Sequence, residues 1–189
     1  MSPPRIEQVD VAYEGWGRML KVRIALANGS SVTREVEDHG DAAAVLAYDP
    51  DRCVALLARQ LRAPVLLTTG QPDILEVVAG LLDDDDPETC ARREAEEEVG
   101  LRLGALEKVV VMHAMSGIST ERIHLFLATY GPADRIGAGG GLSGESEDIT
   151  VEEHPLADLA HMVDRGEIAD AKTMFLVQTL RLRRPELFL

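Results

Sequence analysis

Residues 87–100 read Pro-Glu-Thr-Cys-Ala-Arg-Arg-Glu-Ala-Glu-Glu-Glu-Val-Gly, and this stretch constrains the chain more than any other. A helix is expected over residues 84–101, and both of its ends carry signals. Asp84, Asp85 and Asp86 offer N-cap oxygens, Pro87 suits a first helical turn where its missing N–H costs nothing, and Gly100 suits the left-handed residue just past a helix end. On that helix Glu94, Glu97 and Glu98 fall within an arc of about 100°. Ala91, Ala95 and Val99 form a neighbouring stripe that can pack on a sheet.

The ordinary reading of such a face is solvation and salt bridging. Two features weigh against it. The carboxylates crowd the last turns, where the helix dipole disfavours negative charge. The pairs Arg92 with Glu96 and Arg93 with Glu97 run in the less favourable order, and Glu94 repels Glu98 at i,i+4. A helix built only for stability would avoid this arrangement. A helix that holds a hard divalent cation needs it, because such cations take several carboxylate oxygens from a rigid support.

The 189 residues suit one compact domain with a small extra piece, and 46% apolar residues are enough for a packed core. The formal net charge of −14 sets the chain against nucleic acid and anionic membranes, both of which ask for Lys and Arg. A small anionic substrate remains compatible where a few cations or a metal converge. Cys53 and Cys90 form neither a CxxC motif nor a Cys/His cluster and read as ordinary thiols. His113, His124 and His154 are scattered and are not expected to bind metal. No apolar run is long enough to cross a bilayer, and Met-Ser-Pro-Pro-Arg does not resemble a signal peptide, so the expected location is cytoplasmic.

Strands are expected over residues 6–13, 19–26 and 32–36, with Asn28-Gly29 as a hairpin turn in which both residues tolerate positive φ. Further strands are expected over 42–47 and 53–61 around Asp49-Pro50-Asp51, over 74–78, and over 109–112 and 123–129 around a loop at 117–121. Residues 137–148 are polar and Gly-rich; they lack the Lys of a P-loop and open no helix, so they read as a flexible loop carrying Glu147. Helices are expected over 156–165 and 171–183. The pattern implies an α+β or α/β sandwich.

Ala79-Gly80-Leu81-Leu82, the acidic run, and residues 93–101 (Arg-Glu-Ala-Glu-Glu-Glu-Val-Gly-Leu) resemble the Nudix box, with Arg93, Glu94, Ala95, Glu97, Glu98, Gly100 and Leu101 all matching. The start of the box departs from the common form: its Gly falls on Ala79, with Gly80 one residue late, and its upstream Glu on Asp85. Such a start is similar to the branch acting on GDP-mannose, ADP-ribose and related nucleoside diphosphate sugars. Arg59-Gln60-Leu61-Arg62, Glu76, Ser119-Thr120-Glu121, the glycines 139–141, Glu147-Asp148-Ile149 and Gly166-Glu167-Ile168 with Asp170 and Lys172 extend the likeness over roughly residues 34–184. The loop before Glu121 lacks a proline common in relatives, and two extra residues separate the glycines from Glu147; both departures fall where substrate is selected.

The resemblance implies an α/β/α sandwich with a mixed sheet over residues 39–189, and an antiparallel β extension over 1–38 that mediates a homodimer. It implies Mg2+, with Mn2+ as the alternative, held by Glu94, Glu98 and the carbonyl of Ala79, and joined by Glu147 as a distal ligand or as the base that activates water. Glu97 would be a further ligand or a support for the metal cluster, and Arg93 would pair with a box carboxylate and hold the helix to the loop before it. Arg62, Glu76, Glu121 and Lys172 would contact a nucleoside diphosphate sugar, and Trp16 would stack on its base, across the dimer. The expected reaction is hydrolysis of the pyrophosphate bond to a nucleoside monophosphate and a sugar phosphate. The competing expectations are a catalytically silent Nudix domain that senses a nucleotide, disfavoured by the intact Glu94, Glu97, Glu98 and Glu147, and a hydrolase of nucleoside triphosphates, disfavoured by the N-terminal extension.

Overall fold

The computed structural model describes residues 2–142 and 148–189. These form two compact units, one of residues 1–41 with 112–123 and one of residues 42–111 with 124–189.

In the first unit, β1 (Arg5–Glu14), β2 (Arg18–Ala25) and β3 (Ser31–Asp38) make an antiparallel meander. The turn between β2 and β3 is not the two-residue type that Asn28-Gly29 suggests. Only Gly29 has positive φ, Gly29 N–H donates to the Leu26 carbonyl at 3.0 Å, and Leu26 N–H donates to Ser30 at 2.8 Å. This is a three-residue loop closed by a left-handed glycine, and the Asn28 side chain accepts from Ser30 N–H instead of turning the chain. Register shifts between Ile6 and Gln8 and between Val11 and Tyr13 keep Val9 opposite Val22 and Val11 opposite Leu20. One face of the β1–β2 ribbon therefore stays apolar, although every residue of β1 is exposed. Residues 118–120 attach to β3: Glu37 N–H donates to Ile118, and Thr120 N–H donates to Glu37.

The second unit contains β4 (Ala42–Asp49), β5 (Val54–Leu61), α1 (Ala63–Thr69), β6 (Asp73–Glu76), β7 (Val78–Leu81), α2 (Pro87–Val99), β8 (Leu106–Met112), β9 (Ile123–Thr129), β10 (Thr150–Pro155), α3 (Leu156–Asp164) and α4 (Ala171–Arg183). Its mixed sheet of seven described strands runs β10-β5-β4-β9-β8, with β6 on β5 and β7 on β4. The central strand β4 is buried along its whole length. Its alanines leave room for α2, whose Cys90, Ala91, Ala95 and Val99 join Ala43, Val45, Ala47 and Phe126 in one core cluster. The stripe of small residues read from the sequence is thus the face on which α2 packs. Among the described residues no helix is long and apolar enough to cross a membrane.

Three features depart from the sequence expectation. The strand expected over 74–78 is two strands: β6 pairs with β5, β7 pairs with β4, and the chain crosses between them at Val77. Helix α1 was not expected; it buries no residue and shows only a proline in its first turn and a left-handed Gly70 cap. Strand β10 was not expected either, since its carboxylates hide it; they pair across to Arg52 and Arg59 on the β5 side. Arg92 pairs with Glu88, in the favourable Glu-first order, and not with Glu96.

Helix α2 is closed at both ends. The Asp86 side chain accepts from Glu88 N–H at 3.0 Å and Thr89 N–H at 3.2 Å. At the other end the glycine run that read as a flexible loop is a cap: Gly140 N–H donates to the Glu98 carbonyl at 2.9 Å and Gly141 N–H to the Glu97 carbonyl at 3.1 Å. At Gly139, with φ +71°, a Cβ would lie 2.4 Å from the Glu98 carbonyl oxygen and 2.7 Å from Val99 Cα. Both obstacles are backbone and cannot swing aside. Gly139→Ala is expected to destabilise the fold by about 1–3 kcal/mol, read as a lower urea midpoint at unchanged slope.

Candidate active site

The crossing at Val77 builds the site. With no ladder partner there, the Val77 N–H donates to the hydroxyl of the buried Thr173 at 2.8 Å. Thr173 in turn is held at the start of α4 by its N-cap, Asp170. The residues on either side of the crossing, Glu76 and Ala79, enter two adjoining clusters.

The first cluster lies on α2 and the strand facing it. Glu94 and Glu98, 9% and 2% exposed, project toward Ala79 and Gly80. One Glu98 oxygen accepts from Ala79 N–H at 3.2 Å and the other from the Gln60 amide at 3.3 Å. Glu94 presses on Gly80 so closely that a Cβ there would stand 2.0 Å from its Oε1. Arg93 donates to Glu94 at 2.7 Å, Glu97 at 3.2 Å, Asp85 at 3.0 Å and the Leu81 carbonyl at 3.3 Å. It therefore ties the helix to the loop before it. Burial opposes the charge on Arg93, but the Asp85 hydrogen bond and the charges of Glu94 and Glu97 outweigh it and raise its pKa. Burial, together with the charge of Glu94, pushes the Cys90 thiol up to about 11. That thiol donates to backbone carbonyls of Gly80 and Leu81 and is a packing group.

The second cluster centres on Glu76, which is buried. Arg62 donates to it at 2.6 Å and 3.0 Å, Lys172 Nζ lies 3.5 Å away, and the Gln60 amide reaches it at 3.4 Å. Lys172 also binds Asp170 at 2.9 Å. Burial alone would lower the Arg62 pKa; the Glu76 hydrogen bond and the charges of Glu76, Glu98 and Asp170 reverse this and raise it. Arg59 and Arg62 line a cavity of about 480 Å³ with Gln60, Asp73 and Asp148. Arg59 is engaged by Glu152 and Asp73.

The structure thus brings Arg62, Glu76, Ala79, Arg93, Glu94, Glu97, Glu98 and Lys172 together in the second unit. Trp16 and Glu121 belong to the first unit, where both meet His39: the Trp16 ring stacks on it at 5.2 Å and 24°, and its Nε2 lies 3.5 Å from Glu121. Trp16 remains 80% exposed. Glu147 lies outside the described residues. Sequence reasoning gave no role to Gln60, Thr173 or His39. Gln60 had a signal, since it sits inside the Arg59–Arg62 stretch; the other two are linked only through the fold.

Among the described residues no three His, Cys, Asp or Glu side chains converge as a closed metal cage. A hard, octahedral cation does not need one, because it keeps several waters and takes one or two carboxylates. Two buried carboxylates, Glu94 and Glu98, beside a glycine at position 80 that lets Glu94 approach the strand, offer oxygen donors of the kind such a cation takes.

Comparison with known proteins agrees with this geometry. Residues 38–177 match the NUDIX domain. The chain is 47% identical over 152 residues to a GDP-mannose pyrophosphatase of Cronobacter sakazakii, covering 79% of this chain and 78% of that one. It is 40% identical over 151 residues to a GDP-mannose pyrophosphatase of an Enterobacter species, again covering 79% and 78%. A crystal structure of an ADP compounds hydrolase superposes with a TM-score of 0.73 over 97% of each chain; at 17% identity this likeness concerns the fold. The helix, the cradle and the extent of these matches lead to one conclusion: the chain belongs to the Nudix family of pyrophosphohydrolases.

Proposed function

We propose that the protein hydrolyses the pyrophosphate bond of a nucleoside diphosphate sugar, with GDP-mannose the leading substrate and ADP-ribose the next, in a Mg2+-dependent reaction. The observation that carries this reading is the junction of two clusters: buried carboxylates Glu94 and Glu98 on one side, and the cations Arg62 and Lys172 around Glu76 on the other. The names of the relatives that share most of the chain support the substrate class.

Glu94, Glu98 and the Ala79 carbonyl would hold Mg2+, with Glu97 supporting the cluster through Arg93. Once bound there, the ion would supply Lewis-acid neutralisation of pyrophosphate charge, the condition on which a protein of net charge −14 would accept an anion. Arg62 and Lys172 bind the phosphates, Glu76 holds both cations in place, and Glu121 contacts the nucleotide. Trp16, with an exposed ring, offers a stacking surface for the base. The oxygen of a water bonds to one phosphorus, the bridging P–O bond breaks, and the leaving phosphate departs on its sugar or nucleoside. Glu147 takes the proton of that water.

The reading divides the chain into an N-terminal β extension over residues 1–38 and a hydrolase domain over 39–189. The extension joins two copies through the apolar ribbon face, where Ile6, Val9 and Val11 are exposed. Light scattering is expected to return a dimer, and Val11→Asp to shift it toward monomer.

The decisive assay is phosphate release by a coupled phosphatase with magnesium, across GDP-mannose, ADP-ribose, other nucleotide sugars and nucleoside triphosphates. One diphosphate sugar is expected to dominate, and Glu98→Gln to reduce its turnover by more than about 100-fold, beyond the usual cost of losing an outer-shell group. Turnover of no compound, with parent and Glu98→Gln alike, sinks the enzymatic reading and leaves a nucleotide sensor. Gly80→Ala displaces the Glu94 carboxylate and not the backbone, so kcat is expected to fall on the order of 10²-fold while the melting temperature moves little.

A further inference from the structure

Gln60 joins the two clusters. It lies on β5, in register with Ile74 of β6, and is buried. Its Nε2 is 3.3 Å from Glu98 Oε1 and 3.4 Å from Glu76 Oε2. A primary amide carries two N–H protons, so one nitrogen serves two separate carboxylates.

We propose that Gln60 is a positioning residue for the hydrolysis: its shared amide orients the Glu98 carboxylate toward the cation and sets the distance between that carboxylate and the Glu76–Arg62–Lys172 cluster. This inference rests on the reading of Glu98 as a metal ligand. The chemistry of the side chain carries it. Glu98 Oε2 accepts from the Ala79 N–H and Oε1 from Gln60, so a donor on each oxygen fixes the plane of the carboxylate. Both contacts are neutral. A Lys at this position would neutralise Glu98 and compete with the cation, and a Glu would add a third negative charge to a buried pair. An amide orients both carboxylates without adding a charge of its own. Arg62 donates to the same Glu76 Oε2 that Gln60 reaches, so through Gln60 the direction of Glu98 is referred to the groups proposed to grip the phosphates.

The test is calorimetric titration of the full chain with Mg2+, without substrate, for the parent, Glu98→Gln and Gln60→Met, with melting temperatures taken in chelator and kcat and KM then measured on the sugar that the parent turns over. Gln60→Met keeps length and removes both donors. The expected result is a loss of Mg2+ affinity of about 10-fold or more, an equal or larger fall in kcat, KM changed much less, and little change in melting temperature. Unchanged Mg2+ affinity and kcat in Gln60→Met overturn the inference, and so does a drop in melting temperature with affinity and kcat retained. Should Gln60→Met fail to fold, Gln60→Asn, one methylene too short to span both carboxylates, serves in the same comparison with the same expected losses. A parent that shows no Mg2+ binding dependent on Glu98 removes the proposed function and this inference with it. A parent that binds Mg2+ while Gln60→Met binds it equally well removes the inference alone.

Discussion

The burial of Glu94 and Glu98 is the constraint around which the second unit is arranged. A carboxylate withdrawn from water is tolerated only where donors or cations meet it. Each surrounding choice answers that demand: a guanidinium from Arg93, an amide from Gln60, a backbone N–H from Ala79, and a glycine at position 80 so that the strand can approach. That approach in turn needs α2 to lie close on the sheet, which Ala91 and Ala95 against Ala43 and Ala47 permit. Small residues in the core are thus a condition for acidic residues beside it.

The transfer of the chain from β5 to β4 at Val77 does related work. A continuous strand would keep Glu76 and Ala79 on one neighbour. Here Glu76 stays beside β5 and its Arg62, while Ala79 moves to β4 and faces Glu98. The free N–H at the crossing is met by a threonine from a helix far along the chain, so α4 fixes a bend that local sequence does not specify.

What the sequence revealed follows from how local each signal is. Helix α2 was legible to its ends because Asp86, Pro87 and Gly100 mark them and its two faces differ chemically. The family resemblance added the expected roles of Glu94, Glu98 and Arg93, which no local pattern in the sequence specifies. Strand β10 escaped because Glu152 and Glu153 look like loop residues until their arginine partners on the neighbouring strand are known. The same limit hid Gln60, whose partners lie 16 and 38 residues away, and Thr173, whose partner is 96 residues away. The glycines at 139–141 have a composition that suggests looseness, yet Gly139 is required by crowding against the Glu98 and Val99 backbone.

That closure of α2 by Gly140 and Gly141 has a thermodynamic consequence. A helix ending in three carboxylates would fray at its last turn, and its side chains would sample many arrangements before meeting a cation. With the Glu97 and Glu98 carbonyls occupied by amides, and Asp86 fastening the first turn, the ordering entropy of the ligand set is spent during folding and not on encounter. On the proposed reading, cation capture would have the character of filling a rigid receptor, with little surface changing its hydration and a small accompanying heat-capacity change. Fold and ion would then be weakly coupled, the opposite regime from small domains that exist only once their metal has arrived.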